Sequence, residues 1–184
     1  MYIPRLTDAG IRNNPYWYSE NIYYQSGYGM PNCTAYALGR WYELQGSATP
    51  FNFAHYGDGQ DWYEMGVNAG YAHDEHIPQL GAAGSWSHSP SGHVAIVEEI
   101  KYNDDGSVNY IVTSNSAWQG TYFYTQTLYA KNNYRVKPGS QLNGFIYHPN
   151  LSPIPPPVPH PTRKMPLWLS LIHISEPTRP ISIS

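Results

Sequence analysis

Three observations predict an α+β fold for this 184-residue chain. Capped helix signals fall before about residue 70, runs of β-branched and aromatic residues follow after about residue 90, and an Asp-Asp-Gly turn joins the two strongest of those runs. Helices first and strands later argue for N-terminal helices packed on an antiparallel β-sheet.

Asn32 supplies the N-cap of the first helix, which the apolar spacing carries from Cys33 to about Leu44, with Gly46 as the stop signal. Gly39 inside it costs about 1 kcal/mol against Ala. A second helix follows Asp61 through DWYEMGVNA and ends at Gly70. HVAIVEEIKY and SVNYIVTS flank NDDG, where Asp and Gly tolerate the positive φ a tight turn needs, so they form a hairpin. TYFYTQTLY and LNGFIYH read as further strands.

The hydrophobic share, 41%, is enough for one core, which residues 1–148 are expected to build. The next stretch, PNLSPIPPPVPHPTRKMP, favours an extended polyproline spacer over residues 149–168. Beyond it, LSLIHISEPTR resembles the in-frame translation of a transposon-end adapter used for sequencing libraries. Residues 169–184 are therefore expected to be adapter read-through, His173 with them, and a natural downstream module to be missing. A formal net charge of −3 and no basic block argue against nucleic acid as a partner. With no secretory signal and no run of 18 apolar residues, the chain is expected to carry no export signal of its own and to make no stable membrane association.

Cys33 is the only cysteine, which excludes an internal disulfide and the paired-Cys zinc patterns. At the first turn of a helix its thiolate is favoured by the helix dipole. The helix alone leaves two readings open, a reactive nucleophile or a small buried hydrophobe. A thiolate nucleophile needs a base, normally His, and that His needs an orienting partner. A hairpin turn centred near Asp104 sets His93 opposite Asn115 on one face of the sheet. His73 and His76 in HDEH have a spacing open to metal binding with Asp74 or Glu75, but a solvated loop suits two acids and two imidazoles without a third ligand, so no metal is assigned. His55, His88 and His148 have no partner readable from sequence, and His160 falls in the spacer.

PNCTAYALGR, GHVAIVEEI and TSNSAWQGTYF, in that order, resemble the CHAP family of cysteine, histidine-dependent amidohydrolases and peptidases, common in phage endolysins and bacterial autolysins. PQLGAAGSW, residues 78–86, is similar to the family's approach to its histidine strand. The resemblance covers about residues 1–148 and implies a papain-like (NlpC/P60-like) fold, with Cys33 as nucleophile and His93 as base for hydrolysis of peptidoglycan amides. Many members place Glu-x-Asn before an aromatic residue as the third group. Here Asn115 stands for the acid and Ala117 for the later Asn, so Asn115 is expected to orient the imidazole, an order similar to that of papain-type proteases. Some relatives hold calcium in an acidic loop before the cysteine; SENIYYQSGYGMPN offers only Glu20, so neither calcium nor another cofactor is expected.

The Cys33 N–H is one expected oxyanion donor and Asn32 a candidate second, alongside its capping role. Tyr36 and Trp118 are candidates to line a groove for glycan or stem peptide. The implied protein is an amidase or a cross-bridge endopeptidase, expected to work as a phage endolysin released from the host cytoplasm through a holin-type hole, or as a virion-associated or extracellular lysin, with a C-terminal module tethering it to the wall. Two rivals are a cysteine acyltransferase or protease of the same fold and a non-catalytic wall-binding domain.

Overall fold

A computed structural model describes residues 2–153, 155, 157 and 158. The expected spacer lies largely, and the expected read-through with His173 wholly, outside the described residues, as does His160. Two helices, α1 (Cys33–Gln45) and α2 (Trp62–Asn68), precede the strands, of which the first, the two-residue β1 (His73–Asp74), directly follows α2. The others are β2 (Ala83–Ser87), β3 (His93–Tyr102), β4 (Val108–Asn115), β5 (Tyr124–Tyr129) and β6 (Gln141–Ile146). They form one sheet in the order β1-β6-β2-β3-β4-β5, every neighbouring pair antiparallel. The α+β class and the helices-on-sheet layering are those the sequence predicts.

β3 explains why its sequence is apolar without alternation. Val94 and Ile96 pack with Ala35, Leu38, Trp41 and Trp62 of the helices, while Ala95 and Val97 pack on the other face with Trp86, Ile111, Leu128 and Phe145. A central strand buried on both faces has no polar side to show. Helix α1 is likewise buried all round, from Thr34 to Tyr42, because the N-terminal segment covers the side turned away from the sheet. Trp17 is the closest part of that cover. A Cβ on Gly39 would sit 2.3 Å from its ring, so the helix-weakening glycine is what lets the indole reach the backbone, where its Nε1–H donates to the Tyr36 carbonyl at 3.1 Å.

The hairpin differs from the expected register. Its turn runs from Asn103 to Ser107, with Gly106 at φ +84°, one residue later than a centre at Asp104. Ile96 therefore pairs with Ser114, and the same register carried one residue on sets Asn115 opposite Ala95, not His93. The shift is two residues along the partner strand, so His93 and Asn115 keep the same face and meet diagonally. A bulge between Val97 and Glu99 makes Glu98 the extra residue of β3. The N-terminal part of the expected TYFYTQTLY strand also leaves the sheet. Tyr122 instead meets the Tyr18 hydroxyl at 2.8 Å, and Phe123 packs on Tyr36.

The bulged Glu98 turns into the interior, fully buried, and gathers the structure around it. Arg40 of α1 grips both carboxylate oxygens, at 3.0 and 2.9 Å, while the Ser114 hydroxyl of β4 donates at 2.7 Å. The Tyr2 hydroxyl and the Arg5 backbone N–H complete the shell at 2.6 and 2.8 Å. Burial alone would lower the Arg40 pKa, but the Glu98 carboxylate outweighs it and holds the guanidinium charged. One carboxylate thus fixes α1 against β3 and β4, the three elements that carry Cys33, His93 and Asn115.

Candidate active site

Asn32 caps α1 as the sequence predicts: its Oδ1 accepts from the Ala35 N–H at 2.9 Å and from the Thr34 hydroxyl at 2.7 Å. Its own backbone N–H donates to the Ser116 hydroxyl at 3.1 Å, tying the cysteine end of the helix to the residue after Asn115. Gly59, in a short 3₁₀ turn, lies flat on the start of β3. A Cβ there would be 2.6 Å from the His93 carbonyl carbon and 2.7 Å from the Val94 nitrogen, so only glycine allows this turn to support the histidine.

The orientation of His93 follows from its neighbour. The fully buried Asn115 amide nitrogen donates to the Thr113 carbonyl at 3.0 Å and the Tyr124 carbonyl at 3.4 Å, both of which only accept. Asn115 Oδ1 is therefore the atom turned to His93, 2.9 Å from Nε2. That bond requires a proton on Nε2 and leaves the lone pair on Nδ1.

Cys33, His93, Asn32 and Trp118 line one cleft of about 380 Å³. Asn115 stands behind His93 rather than in the cleft wall. Tyr36 does not belong to the cleft, contrary to its expected substrate role. Its ring is fully buried with Ile11 and Trp17, because position 36 points to the N-terminal cover and not to the helix tip. A larger depression of about 800 Å³ lies beside the Arg5–Glu43 pair, but no cysteine or histidine lines it.

The ionisation of the pair also differs from the expectation drawn from the helix tip. Burial pushes the Cys33 thiol up, against the pull of the Val94, Thr34 and Cys33 backbone amides, and Asp58 pushes it further. Burial likewise pushes the His93 imidazole down to about 4, although its bond to Asn115 favours the proton. Desolvation outweighs the helix dipole. Both shifts favour the neutral thiol and imidazole over a preformed thiolate–imidazolium pair.

The sequence did not single out several wall residues. Asp58 stands at the Cys33 side, while His88 and Lys137 stand near His93, whose pKa both lower by their charge. Tyr28, Tyr124 and Gln126 complete the lining named here. Asp58, His88 and Lys137 come from loops and Tyr124 from the start of β5, where no periodicity marks a functional residue. Among the described residues no group of three His, Cys, Asp or Glu side chains is placed to hold a metal ion. In HDEH, Asp74 Oδ1 accepts from the His76 and Ile77 backbone N–H groups, forming a turn. His148 is a buried fastener, with Nε2–H donating to the Trp41 carbonyl at 3.1 Å and Nδ1 accepting from the Asn150 N–H at 3.2 Å.

The sequence profile of the CHAP domain matches residues 23–117, more than half of the chain and the segment that holds Cys33, His93 and Asn115. The chain belongs to the CHAP family. Among solved structures it is similar to an N-acetylmuramoyl-L-alanine amidase from Staphylococcus aureus, with 27% identity and a TM-score of 0.43, over 61% of this chain. The CHAP chain spans 30% of that amidase's length. No curated protein gives a match.

Proposed function

We propose that this CHAP domain is the catalytic part of a peptidoglycan hydrolase that cleaves amide bonds through Cys33. The observation that carries the reading is the Asn115 amide, anchored on two carbonyls, turning its oxygen onto His93 at the edge of the cleft that Cys33 also lines. Such an arrangement leaves a neutral imidazole with its free lone pair on Nδ1, the form a general base requires.

In the proposed reaction the Cys33 proton passes to His93 Nδ1 as sulfur attacks the amide carbonyl. The oxyanion accepts from the Cys33 backbone N–H. Asn32 Oδ1 is committed to the cap, so its Nδ2 is the side-chain donor available for a second bond. His93 then protonates the leaving amine, and the thioester is hydrolysed by water that gives its proton to the same imidazole. Trp118, 59% exposed on the cleft wall, offers an apolar face to glycan or stem peptide. The phage-endolysin reading, with release through a holin-type hole, rests on family analogy.

Incubation of the protein with purified peptidoglycan, followed by mass spectrometry of the fragments, tests the proposal. New amine termini are expected, at the alanine joined to muramic acid for an amidase or within the cross-bridge for an endopeptidase. Cys33→Ala is expected to lower the rate by on the order of 10⁴-fold or more while leaving the fold intact. No new termini with the unsubstituted protein would favour an acyltransferase or a protease for another amide. Undiminished lysis by Cys33→Ala would favour non-catalytic wall binding.

A further inference from the structure

We propose that the loop between β5 and β6 is a binding site for a phosphodiester polymer of the cell wall, continuous with the catalytic cleft. The inference builds on the reading of the chain as a wall hydrolase and adds a second ligand to it.

Charge is unevenly distributed over this acidic chain. Between Gly106 and His148 there is no Asp or Glu, yet Lys131, Arg135 and Lys137 fall within seven residues. All three are exposed, and among the described residues none pairs with a carboxylate. Arg5 and Arg40, by contrast, are held by Glu43 and Glu98, while the Lys131 ammonium lies beside the Tyr129 ring, 5.5 Å from its centroid. Together with Asn132, Asn133 and Pro138, the three loop cations line a depression of about 570 Å³. Lys137 lines the catalytic cleft as well, at the end where His88 also stands.

The loop holds a fixed shape. Asn133 and Tyr134 both have left-handed backbones, at φ 49° and 50°, a conformation that costs non-glycine residues about 1–3 kcal/mol each. The Tyr134 ring is buried against Phe145, and its carbonyl accepts from Trp86 Nε1–H at 2.9 Å. The Val136 carbonyl accepts from the Gln126 amide at 2.7 Å, and the buried Ser140 hydroxyl donates to the Lys137 carbonyl at 2.8 Å. The core therefore fixes the loop backbone while Lys131, Arg135 and Lys137 remain in solvent. A row of cations with no carboxylate partner among the described residues, beside a polar depression, suits a chain with repeated negative charge, and amide side chains add hydrogen-bond donors for phosphate oxygens. A wall strand bearing such a polymer would be steered toward the His93 end of the cleft.

Binding is best measured with Cys33→Ala protein, so that hydrolysis does not enter. Sedimentation with insoluble walls is compared before and after acid extraction of the phosphodiester polymer, with long-chain polyphosphate as soluble competitor. Extraction, polyphosphate, or the double substitution Lys131→Gln/Arg135→Gln should each reduce the bound fraction, the double variant by about tenfold in apparent affinity at low salt and by less at 0.3 M salt. The same double variant with Cys33 intact should cut short soluble muropeptides at the unsubstituted rate. Equal binding to extracted walls, or binding unaffected by the double variant, would overturn the proposal. Polymer-dependent binding by a protein that releases no amine termini would instead sink the hydrolase reading and leave this site standing.

Discussion

Helix α1 and strands β3 and β4 each contribute a polar side chain at two levels, and burial acts differently at each. At the cleft, His93 meets Asn115 and shares the wall with Cys33, and desolvation disfavours the charged forms of both the thiol and the imidazole. Farther along the same elements, Arg40, Glu98 and Ser114 meet with two full charges, each buried and each answered by hydrogen bonds. The deeper level can hold charge because the Glu98 oxygens find five donors. The cleft has only one fixed partner for its imidazole and leaves the other ring nitrogen for chemistry. Rigidity comes from the paired level, reactivity from the unpaired one.

The comparison breaks first at Arg40. Arg40→Met leaves the Glu98 carboxylate buried without its counter-charge and is expected to cost about 3–5 kcal/mol of stability, measurable by urea unfolding. Arg40→Met/Glu98→Leu removes both charges and should recover most of that loss. The folded double variant should keep its kcat if the ion pair serves only to hold α1 against β3 and β4. A double variant as unstable as Arg40→Met would show that Glu98 is held by its neutral donors rather than by the guanidinium.

At the cleft level the corresponding substitution is Asn115→Ala. It frees the imidazole to rotate and to exchange tautomers, and kcat is expected to fall about 10²-fold with KM little changed. The pH dependence has a definite sign. The proposed mechanism needs His93 unprotonated, so the rate should fall as pH drops through about 4. Stability follows the same group: the unfolded chain takes up a proton near 6.5 that the folded chain refuses until about 4. The contribution is complete above pH 6.5 and lost as pH falls toward 4, where the buried His148, also pushed down by its burial, adds to the decline. Melting curves from pH 7 to 4.5 should show this, with a shallower slope in His93→Gln.

Sequence made α1 legible to within a residue, because Asn32 and Gly46 are local signals with local causes: one caps through its side chain, the other adopts φ +76°. The His93–Asn115 contact was legible in face but not in register, since the turn is centred one residue later than Asp104, while the Glu98 bulge is offset by a second irregularity between Lys101 and Tyr102. β2 escaped notice because Ala-Gly-Ser-Trp-Ser has little strand propensity of its own; β3 and β6 on either side impose the conformation. Tyr36 shows the converse failure. Three residues past Cys33, it lies on a helix buried on every side, where nearness in sequence to the proposed nucleophile says nothing about the cleft. The ionisation state was out of reach for the same reason, since desolvation depends on everything packed around the sulfur.

The finest test of the comparison uses two glycines. Gly59→Ala presses a methyl group against the His93 and Val94 backbone, which cannot yield without moving His93. Gly66→Ala presses one against the buried Ile146 side chain, 2.7 to 3.0 Å away, which lines no part of the cleft. Overpacking of this kind costs about 1–3 kcal/mol, so both variants should lose stability. Only Gly59→Ala should also lose kcat at a temperature where both remain folded, because only there does the strain fall on the strand end that aims the imidazole. Equal kcat in the two would mean that the Asn115 bond, rather than the turn beneath it, sets where His93 stands.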